Sequence, residues 1–421
     1  MKRIILIILL FAFPLYFSHG QHFSKRKFLK LISKEKAFKG ATVSAVFYDM
    51  KKKKKLVDFN SKKYMTPASN MKLLTLLGVI SSFDSIPALY YKRKKGKFYF
   101  WSSGYPLVAH PKYQDSIVIP FLKSQKDTII YLPRKIQSKS LGPGWAWDDV
   151  NYYFSAERSG FPFHGNVVKL TKGDGIINYK PKLFKELKSR SIDSLLIQTF
   201  IQDKKKDSLF IPFSTSDRLF VKLLSDAIRK DIAIDYGKEI NLSENYKTLY
   251  STQKDEIFKL VIKDSDNLTA ESLTLMVSGK EHPYFDINKG IEYIIDKELS
   301  NISPKPIWID GSGLSRYNMI TAESLVFVLN KIYKKISLLS IKQFFPAIGS
   351  SEKDKSYDFN NSGFKVYAKT GTLKNNHCLS GYILKDGRVV IFSFMVNHHI
   401  SSLSGLQKAM ASVIEQVIVK L

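Results

Sequence analysis

Thr66-Pro67-Ala68-Ser69-Asn70-Met71-Lys72-Leu73-Leu74 is the stretch on which the reading of this chain turns. Proline suits the first helical position, where its missing N–H costs nothing, and Met71, Leu74 and Leu77 recur at helical spacing. The pattern predicts a buried helix that starts here and ends near Ser82. Residues three apart share a helix face, so Ser69 presents its hydroxyl beside the amine of Lys72. The positive end of the helix favours a developing anion at that place. A hydroxyl with its own base is a plausible nucleophile. Alone the pair is weak, because this lysine-rich chain repeats the spacing at Ser24/Lys27, Ser33/Lys36, Ser251/Lys254 and Ser350/Lys353.

Just before this stretch, Ala41–Asp49 alternates in a β-rich run, and Leu56-Val-Asp-Phe59 follows the lysines 51–55. Two antiparallel strands around a solvated, charged turn are expected. Gln21–Lys39, basic with scattered apolar residues, is read as a short amphipathic helix. From about Tyr90 to Tyr246 short aromatic strands are punctuated by Gly, Pro and Asp, and only Ser216–Ile232 has a helical pattern. Beyond Asp255 helices return over Leu268–Val277, Thr321–Ile332 and Leu406–Leu421. Val366–Leu373 and Gly381–Val396 read as strands, the second with a hairpin turn at Asp386-Gly387. The expected fold is α/β in the α+β sense: an antiparallel sheet flanked by helices, drawing strands from both chain ends, with a β-rich inserted module. The expected division is a signal peptide at 1–20, the main domain in two parts at 21–90 and 247–421, and the insertion at 91–246.

The 421 residues exceed one typical core. Lys2 and Arg3 precede the apolar run Ile4–Phe17, with small residues at Ser18 and Gly20, so a secretory signal cleaved before Gln21 is expected. The chain is therefore read as exported, to the periplasm or cell envelope. Cys378 is the single cysteine, which excludes an intrachain disulfide or a thiolate cluster and reads as a buried small residue. Lys and Arg number 66 against 37 Asp and Glu, a net charge of +29. No nucleic-acid motif accompanies that charge, so no nucleic-acid partner is expected. Anionic envelope polymers or a membrane surface remain as partners, although solvated lysines account for much of it. No His-Glu-x-x-His occurs and the eight histidines are scattered, so neither a catalytic metal nor a cofactor is expected.

Two further motifs single out Ser69. Ser265-Asp266-Asn267 stands before a predicted helix, with Ser243-Glu244-Asn245 as a rival, and Lys369-Thr370-Gly371-Thr372 lies in an extended stretch. Ser-x-x-Lys, Ser-Asp-Asn and Lys-Thr-Gly in this order are the set of penicillin-binding proteins and serine β-lactamases. Asp310-Gly-Ser-Gly-Leu-Ser-Arg-Tyr-Asn318 with Thr321, Ser265-Asp-Asn-Leu-Thr-Ala-Glu-Ser-Leu273, Leu379-Ser-Gly-Tyr382 and Gly144-Trp-Ala-Trp-Asp-Asp149 narrow the match. Together they resemble the D-alanyl-D-alanine carboxypeptidase/endopeptidase family, the class C low-molecular-mass penicillin-binding proteins or S13 peptidases. That family carries an insertion between its first two motifs, where this chain changes texture. The insertion looks shorter here, and Ala156–His164 departs from the family's usual segment.

The resemblance implies an acyl-enzyme on Ser69, with Lys72 as a neutral base, its pKa lowered by burial and by the cation of Lys369. It implies Ser265 as a proton relay and Asn267 as the group holding Lys72 and the substrate amide. Lys369 supplies positive field, Thr370 and Thr372 bind the substrate carboxylate, and Gly371 lets the strand approach the ligand. The N–H groups of Ser69 and Thr372 form the oxyanion hole. Implied partners are peptidoglycan stem peptides and β-lactams as acylating inhibitors. Both carboxypeptidase and endopeptidase action fit. A β-lactamase or esterase on the same fold, or an inactive peptidoglycan-binding relative, are the alternatives. Asp310 and Arg316 are read as structural, joined in a buried ion pair, His377 as a loop residue, and the Trp145 cluster as packing a loop onto a sheet rather than stacking on sugar.

Overall fold

A computed structural model describes residues 24–419, apart from 114–116, 174–175, 186–193, 204, 352–353 and 360–361. The expected signal segment lies outside the described residues. In chain order the elements are α1 (Lys25–Lys34), β1 (Thr42–Asp49), β2 (Lys54–Phe59), α2 (Lys72–Ser82), β3 (Pro87–Lys94), β4 (Lys97–Ser102), α3 (Val118–Lys123) and β5 (Thr128–Tyr131). Next come β6 (Val167–Lys172), β7 (Ile177–Lys180), α4 (Ser194–Gln202), β8 (Ser208–Pro212), α5 (Asp217–Ile228), β9 (Ile232–Ile234) and β10 (Lys247–Tyr250). The last third holds α6 (Lys254–Ile262), α7 (Asn267–Glu281), α8 (Ile287–Glu298), α9 (Ala322–Lys335), α10 (Leu338–Phe344), β11 (Lys365–Leu373), β12 (Asn376–Lys385), β13 (Arg388–Asn397) and α11 (Leu403–Ile418).

The main sheet runs β11-β12-β13-β1-β2, all antiparallel, and so joins the two ends of the chain as its alternating runs require. Both faces are covered. Val43, Ala45 and Phe47 of β1, with Phe392 and Phe394 of β13, bury against α1 and α11. The alternate residues Val46, Ile391 and Met395 join the opposite core, which α2, α7 and α9 fill. Strands buried on both faces show less alternation than half-exposed ones. The β12–β13 turn places Asp386 and Gly387 at φ 47° and 71°, the left-handed conformations that Asp-Gly hairpins favour.

Between α2 and α6 lie two further sheets. One is mixed, in the order β10-β3-β4-β5-β9, and the other is β7-β6-β8. β3 begins at Pro87 and β10 ends at Tyr250, so the mixed sheet reaches slightly beyond both expected boundaries of the insertion. Two helices here, α3 and α4, had no counterpart in the sequence reading.

Candidate active site

Ser69 lies in a turn of 3-10 helix, Ala68–Met71, that runs straight into α2 at Lys72. In 3-10 geometry residues i and i+3 eclipse, which sets the two side chains side by side. Lys72 is wholly buried. Its Nζ lies 3.1 Å from Ser69 Oγ, 2.5 Å from Asn267 Oδ1 and 2.7 Å from the Ser312 carbonyl oxygen. Asn267 is oriented by its own amide nitrogen, which donates to the Phe154 carbonyl (2.8 Å). Two of the three neighbours of Nζ are thus obligate acceptors. A neutral amine has two N–H groups for those two, and its lone pair then faces the Ser69 hydroxyl. Burial brings the Lys72 pKa down from 10.5 to about 8, against Asp266, Asp310 and Glu271, which pull it up.

Lys369 on β11 is also buried, and donates to Ser265 Oγ (2.8 Å) and the Thr370 carbonyl (2.9 Å). Asn70 ties β11 to the Ser69 turn: its amide nitrogen faces Ser380 Oγ (2.9 Å) and its oxygen the Gly371 N–H (3.1 Å). Ser69 and Thr370 are half-buried and Thr372 is exposed, so their hydroxyls can be reached from outside. Two non-glycine residues here hold left-handed backbone, Ala68 (φ 49°) and Ser265 (φ 60°), strain of the kind that gathers at functional sites.

Close approach explains two glycines. A Cβ on Gly371 lies 2.4 Å from the Pro67 carbonyl oxygen and 3.0 Å from the Ser69 nitrogen. One on Gly313 lies 2.0 Å from the Ala68 carbonyl oxygen. Gly371→Ala is therefore expected to push β11 off the nucleophile turn, at about 1–3 kcal/mol of stability. A thermal melt checks this; an unchanged midpoint contradicts it.

The structure brings Ser69, Lys72, Ser265, Asn267, Lys369, Thr370, Gly371 and Thr372 together. It also adds residues the sequence reading gave no part. Glu271 accepts from the Ser312 N–H (2.8 Å) and forms a buried ion pair with Arg158 (2.8 Å), so it positions the carbonyl that receives Lys72. Asp310 does fix a turn, accepting from the Gly313 N–H, the Ser315 N–H, Asn318 and the Trp145 indole. The expected Asp310–Arg316 ion pair is absent, because Arg316 is exposed. The Trp145 cluster divides: Trp145 packs under Arg158, whereas Trp147 is 88% exposed, and Tyr152 and Tyr153 are exposed too. His377 lies in β12 opposite Thr372, not in a loop, and is buried. Cys378 is buried and free, its thiol pKa pushed up by burial. Among the described residues no cluster of His, Cys, Asp or Glu could hold a metal ion.

The fold and the site define a serine β-lactamase/DD-peptidase-like protein. The chain belongs to the D-Ala-D-Ala carboxypeptidase 3 (S13) family, whose model matches residues 194–417. That match includes Ser265, Asn267 and Lys369; Ser69 and Lys72 join them through the fold. The chain is 25% identical over 208 residues to penicillin-sensitive carboxypeptidase A of Dictyostelium discoideum, covering 45% of this chain and 40% of that protein. It is 29% identical over 157 residues to D-alanyl-D-alanine carboxypeptidase DacB of Haemophilus influenzae, covering 34% and 31%. It thus spans less than half the length of these curated relatives. The crystal structure of penicillin binding protein 4 (dacB) from Haemophilus influenzae shares the fold, with a TM-score of 0.67 at 18% identity over 92% of this chain and 99% of that one.

Proposed function

We propose that this protein is a serine-type D-Ala-D-Ala peptidase that cleaves peptidoglycan stem peptides and is acylated by β-lactams. The observation that carries the reading is the fully buried Lys72 amine, 3.1 Å from Ser69 Oγ, with carbonyls on its other two bonds. In this reading Ser69 Oγ attacks the carbonyl of the penultimate D-alanine while its proton passes to the neutral Lys72 amine. The oxyanion is received by the N–H groups of Ser69 and Thr372. When the C–N bond breaks, the proton reaches the leaving nitrogen by way of the Ser265 hydroxyl. Lys369, Thr370 and Thr372 hold the substrate's carboxylate, and water attacking the acyl-enzyme releases the shortened peptide and restores Ser69.

Export belongs to the same proposal, resting on residues 1–20, with the periplasm or envelope as the site of action. So do the division into a peptidase part (21–90 and 247–421) and an insertion (91–246), and the attraction of the basic surface to anionic envelope polymers. No helix among the described residues is long and apolar enough to cross a membrane. The test is direct. Purified protein is expected to release D-alanine from a D-alanyl-D-alanine peptide and to form a persistent adduct with a fluorescent penicillin. Release of no D-alanine refutes the peptidase; rapid loss of the adduct points to a β-lactamase instead.

A further inference from the structure

A buried chain of hydrogen bonds runs from the Thr372 hydroxyl into the core. Thr372 Oγ1 lies 2.8 Å from His377 Nδ1, and His377 Nε2 lies 2.6 Å from the Tyr357 hydroxyl. His377 and Tyr357 are both buried, and their rings stack at 6.1 Å. The ladder explains the first contact: Thr372 of β11 and His377 of β12 are directly opposed, so their side chains leave the same face. Tyr357 reaches the histidine from the segment before β11, where it packs with Phe359, Phe364 and Met410.

Proton counting gives this chain a direction. The phenol carries one hydrogen. Its second neighbour, Met410 Sδ, is 3.8 Å away, and a thioether accepts weakly. The strong acceptor is His377 Nε2, so the Tyr357 O–H donates there. A neutral imidazole that accepts at Nε2 carries its proton on Nδ1 and donates it to Thr372 Oγ1. Burial, with a smaller push from His399, holds the His377 pKa at about 3, so the ring stays neutral. With a lone pair of Oγ1 engaged from behind, the Thr372 hydrogen is left to point outward, on the exposed side of this residue. An anion there can only accept, and it meets a donor already turned toward it. The reversed chain, with the proton on Nε2, draws the Thr372 hydrogen back onto Nδ1 and offers the anion a lone pair.

We propose that His377 and Tyr357 are positioning residues that fix the Thr372 hydroxyl as a donor toward the substrate's terminal carboxylate, and so set the selection for a free carboxylate from behind the strand. The proposal rests on the peptidase reading above and adds to it a specificity device outside the three motifs.

Acylation rates with benzylpenicillin and with its carboxylate methyl ester test it, because a general loss of structure lowers both and leaves their ratio alone. In Tyr357→Phe the histidine is free to reverse, and the acid-to-ester ratio is expected to fall about tenfold, the scale of one hydrogen bond to a charged group. In His377→Asn an amide N–H stands near the place of Nδ1–H, and the ratio is expected to stay within about threefold of wild type. Nitrogen shifts of ¹⁵N-histidine protein, assigned with the His377→Asn variant, are expected to show a protonated Nδ1 and a bare Nε2. A wild-type ring protonated on Nε2 overturns the proposal, as does an unchanged ratio in Tyr357→Phe. Failure of wild type to be acylated by either compound refutes the peptidase reading instead, and the ring tautomer then decides the direction of the chain by itself.

Discussion

Ser69→Ala and Lys72→Met are each expected to lower D-alanine release by on the order of 10⁴- to 10⁶-fold, and the double variant no further, because nucleophile and base act as one unit. Ser69→Ala removes the atom that forms the acyl bond, so the penicillin adduct, read by mass spectrometry, is expected to vanish. An adduct of undiminished amount assigns the nucleophile elsewhere. Lys72→Met keeps the length of the side chain and removes the lone pair. Wild-type kcat/KM is expected to rise with pH up to about 8, since only the neutral amine accepts the Ser69 proton. At pH 7 roughly one molecule in ten carries it. The same burial predicts a stability effect of opposite sense. The folded pKa of about 8 lies below the ordinary 10.5, so the folded state binds fewer protons between those values. The resulting penalty is complete below pH 8, on the order of 3 kcal/mol, and fades as pH rises toward 10.5. Lys72→Met is therefore expected to be at least as stable as wild type at neutral pH, with wild type gaining on it between pH 8 and 10.5. Denaturant titrations of both proteins at several pH values measure that gap. A gap that does not change with pH contradicts a depressed lysine.

The main sheet and the three motifs were legible in sequence because each has a local signature. β1, β13 and the Asp386-Gly387 turn follow from residues within one strand or one hairpin. The Ser69–Lys72 pair follows from helical spacing, and its partners from short motifs whose order is informative. What stayed hidden depends on residues distant in the chain. Glu271 lies in the segment Ser265–Leu273, yet its partners Arg158 and Ser312 are 113 and 41 positions away. In sequence His377 falls in a loop because the strand pattern becomes clear only at Gly381, five residues after β12 starts at Asn376. Its pairing with Thr372 is a matter of sheet register, which no single-strand pattern reports. An ion pair between Asp310 and Arg316 is the expectation from sequence, and it does not form. The turn that Asp310 holds instead sends Arg316 out to water, and the arginine of the buried ion pair is Arg158, from within the expected insertion. Helix α3 is six residues long with Pro120 inside it, too short for a period of 3.6 to register.

Glu271→Gln is expected to cost about 3–5 kcal/mol of stability, the penalty for leaving a buried charge without its partner. Arg158 and Glu271 are both almost wholly buried, and the Arg158 Nη2 has no hydrogen-bond partner even in the intact pair. Removing the carboxylate charge leaves that guanidinium held by the Lys139 carbonyl and by its contact with the Trp145 ring. Replacing both residues, as Arg158→Met with Glu271→Leu, is expected to recover much of the loss, since an apolar pair of similar volume avoids the unpaired charge. Guanidinium unfolding of the two variants separates these outcomes, and a single variant within about 1 kcal/mol of wild type rules out the unpaired-charge argument. The effect on catalysis differs in kind. Glutamine keeps an oxygen for the Ser312 N–H, so the carbonyl that receives Lys72 stays in place and turnover is expected to survive. Glu271 is, however, one of three acids that raise the Lys72 pKa. Its neutralisation moves that pKa further down, so the rising limb of the pH–rate profile is expected to shift toward lower pH while the protein becomes less stable. A variant that loses stability with no displacement of the profile separates the ion pair from the base, and limits Glu271 to holding the fold.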